Sequence, residues 1–549
     1  MNAAAAMAEI LKLEGVSFAA CFPPNQLINA SAEAGIRPIL ARQERVAVNI
    51  ADGYTRVSRQ SGVALVAAGV GVENAFSGIS QASADLVPML IVADQVPTSS
   101  LGGRRTQDLD ALFALHKVTK WAERIDPADR VPEFMRRAFT YLRTGRPGPV
   151  FLELPLDVGK EEVEDPRSTY RPVIGWRAEG NPRDMEVAAR ALLAARRPLI
   201  YAGEGVYYAA AWEELRQFAE LAQAPVMTTL KAKGVFPEDH PLSVGHGGMT
   251  GSKVAAHFLR GADLVFAVGA SLTRGSGIFM GAEIPPGKEI AQCTVDERDL
   301  AKDYPVDWAV VGDAKLVLAQ LIREVERQGG VRPGRDQALI DEISRVKEEW
   351  LSEWMAKLTS AGVPINPLRV VWDLAHTVDK SRTIVTHDAG CPRDHLAPFY
   401  EAVTPRGYLG WGHHSTLGYS LGGAMGAKLA EPGKTVINVM GDGAFGMTGM
   451  DFETAVRERI PILTIVLNNS GMGTYFQMTP PTSVLSGNYT KIAEGLGGYS
   501  ERVEDPDEVV PAIKRAEKST ESGRAALLEI ITGVELGFQT SYWQDLRSG

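Results

Sequence analysis

Apolar positions in this chain fall into short β-branched runs separated by stretches with helical spacing. The run Lys434–Met440 has the length and composition of a buried strand. In Met450–Ile460 the apolar residues Phe452, Ala455, Val456 and Ile460 recur at helical intervals, which predicts a helix. Pro461–Leu467 then reads as a second buried strand, so the segment is a β-turn-α-β unit. Such a unit puts both strand C-termini on one sheet edge, where open α/β sheets bind ligands. The same pattern predicts strands at Phe18–Phe22, Pro38–Ala41, Val63–Ala67, Met89–Ala93 and Val150–Leu154, with helices over Glu44–Val57 and Glu73–Ala84. After a charged linker, Glu161–Arg171, come strands near Pro198–Ala202, Pro225–Thr229, Ala262–Val268 and Glu289–Thr294. A Gly/Pro-rich turn at 329–334 precedes a charged helix that runs to Leu358, and the aromatic residues Phe538, Tyr542 and Trp543 close the chain. The expected fold class is α/β, with three parallel-sheet α/β domains at 1–165, 183–335 and 367–549.

Composition narrows the function classes. At 549 residues, 45% hydrophobic and 23% charged, the chain reads as a multi-domain globular protein. A net charge of −10 argues against a nucleic-acid surface or a basic membrane patch. Cys21, Cys293 and Cys391 have neither zinc spacing nor a disulfide framework, as expected in a reducing cytoplasm. No apolar run is long enough to span a bilayer, and residues 1–7 lack a signal-peptide core. The expected partner is therefore a small-molecule substrate, with no nucleic acid and no membrane.

Chemistry concentrates at Gly441-Asp442-Gly443 and Asn468-Asn469. Asp442 and Asn469 each offer a hard oxygen, and two or three protein oxygens suit Mg²⁺ when phosphate and water complete the octahedron. Glycines allow close backbone approach to phosphate. A lone Gly-Asp-Gly is more often an ordinary strand-turn-helix with the Asp as a cap. Here the Asn pair closes the next strand, 27 residues on, which leaves room for one crossover helix. Upstream, Ala41–Ala47 leads from a strand into a helix carrying Glu44, followed by Ala51-Asp52-Gly53-Tyr54, the turn Gly69-Val70-Gly71 and Asn74.

Together these segments resemble the thiamine diphosphate (ThDP) enzymes of the pyruvate oxidase/acetolactate synthase branch, over nearly the whole chain. The resemblance implies a domain order of pyrimidine-binding, middle and diphosphate-binding. It implies that Asp442, the Asn469 side chain and the Gly471 carbonyl hold Mg²⁺. Gly441, Gly443, Ala444, Gly390 and Cys391 would lie near the diphosphate, with Asn74 also on the cofactor side. Ser415 and Leu417 would hold the pyrimidine, with the Leu417 side chain bracing the bent cofactor. Glu44 would be the catalytic carboxylate beside pyrimidine N1′, and Gln107 would hydrogen-bond a substrate oxygen. A site built across chains implies a homodimer or homotetramer.

Several positions depart from the family pattern. Ala444 stands where a Ser is frequent, and Cys391-Pro392 where acetolactate synthases carry Gln-His; Pro392 has no N–H to offer. Phe22-Pro23-Pro24-Asn25-Gln26 replaces Tyr-Pro-Gly-Gly, so Asn25 and Gln26 are expected to meet an oxygen-rich substrate or a developing oxyanion. That weighs against acetolactate synthase itself. Tyr475 stands where yeast-type pyruvate decarboxylases have an acid, which leans towards carboligation or its reverse. His116, His413 and His414 are acid–base candidates, although a lone His is more often structural. In the middle block Gly203-Glu204-Gly205, Gly245–Met249 and Gly269–Arg274 faintly resemble the nucleotide strands of flavin-containing relatives, leaving FAD, ADP or neither open. The expected function is a ThDP- and Mg²⁺-dependent carbon–carbon lyase or carboligase acting on a 2-oxo acid or 2-hydroxy carbonyl donor. The alternatives are a 2-oxo acid decarboxylase, a 2-hydroxyacyl-CoA lyase with Arg104-Arg105 serving the CoA phosphate, and an inactive regulatory relative.

Overall fold

A computed structural model describes residues 1–274, 282–330, 336–473 and 480–536. Every strand run that alternates with helices enters one of three six-stranded parallel sheets. The first contains β1 (Phe18–Phe22), β2 (Arg37–Leu40), β3 (Val63–Val66), β4 (Leu90–Gln95), β5 (Trp121–Arg124) and β6 (Val150–Pro155), in the order β2-β1-β3-β4-β6-β5. The second contains β7 (Pro198–Ala202), β8 (Val226–Thr228), β9 (Ser243–His246), β10 (Leu264–Val268), β11 (Glu289–Thr294) and β12 (Trp308–Val311), in the order β12-β11-β10-β7-β8-β9. The third contains β13 (Thr383–His387), β14 (Tyr408–Leu409), β15 (Thr435–Gly441), β16 (Leu463–Asn468), β17 (Tyr499–Val503) and β18 (Ala526–Ile531), in the order β14-β13-β15-β16-β18-β17. Numbered within their own blocks, the first and third sheets share the order 2-1-3-4-6-5. The middle sheet reads 3-2-1-4-5-6, the doubly wound dinucleotide-fold order.

The central strands match the sequence expectation because they are buried on both faces and read as apolar runs. Edge strands such as β5, β12 and β17 are partly exposed, so their pattern is mixed and the sequence reading passes over them. One expectation needs correcting. The Gly-Asp-Gly segment is not a turn followed by a helix at 450–460. A helix begins at Asp442 and runs to Thr448, a 3₁₀ turn covers Gly449–Asp451, and a second short helix spans Phe452–Arg457. An acid in the first helical turn faces the positive end of the helix dipole, which favours starting there.

Two contacts fix how the domains sit. The helices Glu44–Ser58 and Tyr419–Ala430 cross backbone to backbone: a Cβ on Gly53 would lie 2.1 Å from the Gly423 oxygen, and one on Gly426 would lie 2.1 Å from the Ile50 oxygen. Only glycine fits that crossing. Beside it Arg56 is buried, donating to Asp52, to Asp85 and to the Gly410 carbonyl. The helix Gln337–Leu358 lies between the second and third sheets and stacks Trp350 flat on Phe399, with centroids 5.3 Å apart. Among the described residues no helix is long and apolar enough to cross a membrane.

Candidate active site

The C-terminal edge of the third sheet builds a cavity of about 170 Å³. Strand β15 delivers Asp442, which is 2% exposed. Its Oδ1 accepts from the Gly443 N–H at 2.9 Å and its Oδ2 from the Gly471 N–H at 2.8 Å. Burial pushes this carboxyl up, while the backbone N–H groups hold it down. Strand β16 ends one residue before Asn469, whose Oδ1 is buried and has no hydrogen-bond partner. Gly441, Gly443, Ala444 and Gly471 line the same wall. The donor set is thus one carboxylate and one orphaned amide oxygen, both hard ligands, and a buried polar atom without a partner is costly. Among the described residues no cluster of three or more His, Cys, Asp or Glu side chains could hold a metal.

The opposite wall comes from β13. After it a helix starts at once, Cys391–Phe399, capped by Gly390 at φ +79°. Pro392 sits in that first turn, where its missing N–H would have no partner within the helix. Gly390 and Cys391 line the cavity, as do Ser415 and Leu417. Leu417 packs against Ala389, Trp411 and Tyr419. Ser415 has φ +52°, and its Oγ accepts from Arg393 Nη1 at 3.1 Å.

Two site residues escaped the sequence reading. Asp388, fully buried, accepts from the N–H groups of Ala389, Gly418 and Ser420 and from the Ser420 hydroxyl, tying β13 to the Ser415–Leu417 segment. Arg393 is buried on the cavity wall and pairs with Asp394 at 2.7 Å. The available signal was a charged residue directly after a buried strand and another in the first turn of the helix that follows.

The N-terminal domain supplies a second cluster. Glu44 opens its helix at 2% exposure and accepts from Asn74 Nδ2 at 3.1 Å. Burial pushes its carboxyl up; its own backbone N–H and then Asn74 oppose the shift. Asn74 is therefore seated on Glu44. Gln107 is exposed at φ +66°, with its backbone against Gly69. None of Glu44, Asn74, Gln107, Asn25 or Gln26 lines the cavity of the third sheet.

Asn25 and Gln26 are placed differently from expectation. Asn25 is a helix N-cap: Oδ1 accepts from the Ile28 N–H at 2.9 Å and Nδ2 donates to the Val66 carbonyl at 3.3 Å. The amide expected to serve an oxyanion is thus engaged at both ends by its own domain. Gln26 turns its Nε2 against Gly159, where that nitrogen is buried without a partner. His116 is exposed after a short helix. His413 and His414 line a second cavity of about 380 Å³ at the edge of the middle sheet, together with Glu204, Lys231, Gly247 and Gly248. The Gly203-Glu204-Gly205 pattern has another cause there. A Cβ on Gly203 would lie 2.4 Å from the Gly269 oxygen, and one on Gly205 would lie 2.5 Å from Gly269 Cα, so these glycines serve backbone packing. Tyr475, Phe538, Tyr542 and Trp543 lie outside the described residues.

Comparison with known proteins accords with this geometry. The family model "Thiamine pyrophosphate enzyme, N-terminal TPP binding domain" matches residues 1–115, the central-domain model matches 185–321, and the C-terminal TPP binding domain model matches 388–530. The chain is 31% identical to a probable acetolactate synthase large subunit of Methanococcus aeolicus, over 94% of this chain and 90% of that protein. It is 28% identical to the acetolactate synthase isozyme 3 large subunit of Escherichia coli K12, over 94% and 91%. It is also 28% identical to a glyoxylate carboligase of Escherichia coli O157:H7, over 98% and 95%.

Proposed function

The chain belongs to the thiamine pyrophosphate enzymes, and on that premise we propose that it is a ThDP- and Mg²⁺-dependent carbon–carbon lyase or carboligase taking a 2-oxo acid or 2-hydroxy carbonyl donor. Relatives named for acetolactate synthesis and glyoxylate carboligation support the carboligase class. The observation that carries the metal assignment is the orphaned Asn469 Oδ1 on the cavity wall beside the Asp442 carboxylate. Asp442, Asn469 and the Gly471 carbonyl would hold Mg²⁺. Gly390, Cys391, Gly441, Gly443 and Ala444 would border the diphosphate, and Ser415 and Leu417 the aminopyrimidine. Bound there, the cofactor supplies a nucleophilic carbon that takes up and passes on an acyl unit.

The chain's own residues do the rest. Glu44, delivered by a second copy, holds a proton at pyrimidine N1′, and Asn74 keeps its carboxyl oriented. Gln107, beside Gly69, hydrogen-bonds a substrate oxygen. A homodimer is the minimum assembly on this reading, and a homotetramer would be a pair of such dimers. The domains are assigned as pyrimidine-binding (1–165), middle (183–335) and diphosphate-binding (367–549). Three widely spaced cysteines with neither zinc spacing nor a disulfide framework support a reducing compartment such as the cytoplasm. Within the same chemistry the alternatives are a 2-oxo acid decarboxylase and a 2-hydroxyacyl-CoA lyase. An inactive relative is disfavoured by the coexistence of Glu44, Asp442 and Asn469. The second cavity is the place for FAD or ADP, if either binds.

Calorimetry tests the reading directly. ThDP should bind only with Mg²⁺, and the holoenzyme offered 2-oxo acids with aldehyde or 2-oxo acid acceptors should form a new carbon–carbon bond. Tight Mg²⁺-independent binding would remove the metal assignment. CO₂ release with only an aldehyde product would move the assignment to decarboxylase.

A further inference from the structure

We propose that Gln81, backed by Asp85, is a positioning residue that sets the geometry of Gly412–Leu417 and so of the cofactor's pyrimidine; this rests on the functional reading above. The segment has no regular secondary structure, and Ser415 occupies the left-handed region at φ +52°, which a residue with a Cβ adopts only when its surroundings hold it there. From the N-terminal domain those holds come from one helix, Val70–Ala84, and the residue that follows it. The Thr416 N–H donates to Gln81 Oε1 at 3.3 Å. The Gly412 and His413 N–H groups point to the two Asp85 oxygens at 3.4 and 3.3 Å. His414 Nδ1 meets the Ser80 hydroxyl at 2.9 Å. Gln81 and Asp85 stand four apart, on the same helical face, and Gln81 Nε2 donates to Asp85 Oδ2 at 2.6 Å.

Gln81 is fully buried, and its amide works at both ends. The carboxylate demands the NH₂ group and the Thr416 N–H demands the carbonyl, so one orientation of the amide is required. Asp85 is buried as well. Burial alone would push its carboxyl up, but the Arg56 guanidinium at 3.1 Å and Lys231 at 3.9 Å bring it below the usual carboxylate range, so it stays an acceptor. Neither Gln81 nor Asp85 lines the cofactor cavity. They act through the backbone of the segment that carries Ser415 and Leu417, while Arg393 and Asp388 hold that segment from its own domain.

The test compares two probes on the full chain with Mg²⁺: ThDP, which needs both halves of the cavity, and inorganic pyrophosphate, which needs only the metal half. Gln81→Met keeps the side-chain length and removes both hydrogen bonds. It should weaken ThDP about tenfold, the worth of one or two buried hydrogen bonds, and leave pyrophosphate unchanged. Equal weakening of both probes would mean a merely structural role and overturn the proposal, as would no change in either. Ser80→Ala, at a half-exposed position, is the milder second variant should Gln81→Met fail to fold. It should weaken ThDP about two- to threefold, again without touching pyrophosphate, and equal binding of both probes to wild type would overturn the proposal. A wild-type chain that binds neither probe would overturn the functional reading itself, which separates that failure from this one.

Discussion

The first and third sheets have the same strand order and opposite chemistry. After the third strand of each block a glycine-flanked residue opens a helix: Gly69-Val70-Gly71 in one, Gly441-Asp442-Gly443 in the other. After the fourth strand stand Val96 in the first sheet and Asn469 in the third. At the third sheet these slots carry hard oxygens and wall a cavity. At the first sheet the glycine turn presses on Glu44: a Cβ on Gly71 would lie 3.4 Å from its Oε1. One edge offers a buried carboxylate and an unpartnered amide oxygen on a cavity wall, the other a single buried carboxyl. A scaffold repeated within one chain thus supplies two unlike strand-end clusters, which the proposed function joins by bringing the Glu44 of a second copy to the cavity.

The sharpest way to break this comparison is Asp442→Ala. Removing a metal ligand should cost at least the ~100-fold seen for outer-shell losses in affinity for ThDP with Mg²⁺. Unchanged affinity by calorimetry would place the metal elsewhere. Glu44→Gln should leave ThDP binding intact and slow exchange of the thiazolium C2 hydrogen by about 10²–10⁴-fold, since an amide cannot hold the N1′ proton as a carboxylate does. Wild-type exchange in that variant would remove Glu44 from the chemistry.

Mixing the two inactive variants then tests whether the halves come from different chains. With random subunit exchange, half of the dimers pair an intact Glu44 with an intact Asp442 at one of two sites, so about a quarter of wild-type activity should return. No recovery under demonstrated exchange would show that each chain completes its own site.

Smaller effects probe the first sheet alone. Asn25→Ala removes a helix cap and should cost about 1 kcal/mol of stability with kcat per folded site unchanged. A tenfold or greater fall in site-normalised kcat would restore the oxyanion role expected from sequence. Asp94, in β4, is buried with Oδ1 unpartnered, and burial pushes its carboxyl up to about 7. The folded state therefore holds this proton more tightly than the unfolded chain, whose carboxyl titrates near ~3.9. Its stabilising contribution is complete at low pH and is lost as the pH rises through about 7. The melting temperature of Asp94→Asn relative to wild type should rise by a few degrees between about pH 5 and about pH 8. Parallel melting curves for the two proteins across that range would reject a buried, proton-holding Asp94.

How legible all this was depends on where the signal lies. Asp442, Asn469 and the glycines around them stand out as candidates because ligand chemistry and backbone demands restrict which residues can follow a buried strand, whereas Glu44 stands out through the resemblance to ThDP enzymes. Central strands are legible for the same kind of reason, being apolar along their length. The helix start at Asp442 was missed because a glycine-flanked acid reads equally as a turn or as a first helical turn. For Asn25 a cap and an oxyanion donor call for the same side chain, and only the tertiary structure shows the cap, through the Ile28 N–H and the Val66 carbonyl.

By itself, then, the sequence determined the α/β class and the succession of three α/β blocks, and it marked the candidate residues at the strand ends, because each follows from patterns within a few tens of residues. The tertiary structure alone decided that the first and third sheets share a topology and that Gly203 and Gly205 serve packing. It alone placed Gln81, Asp85, Arg56 and Arg393 around Ser415. Those facts rest on contacts between residues as far apart as Arg56 and Gly410, and no local pattern in the chain encodes which distant backbone a buried side chain will meet.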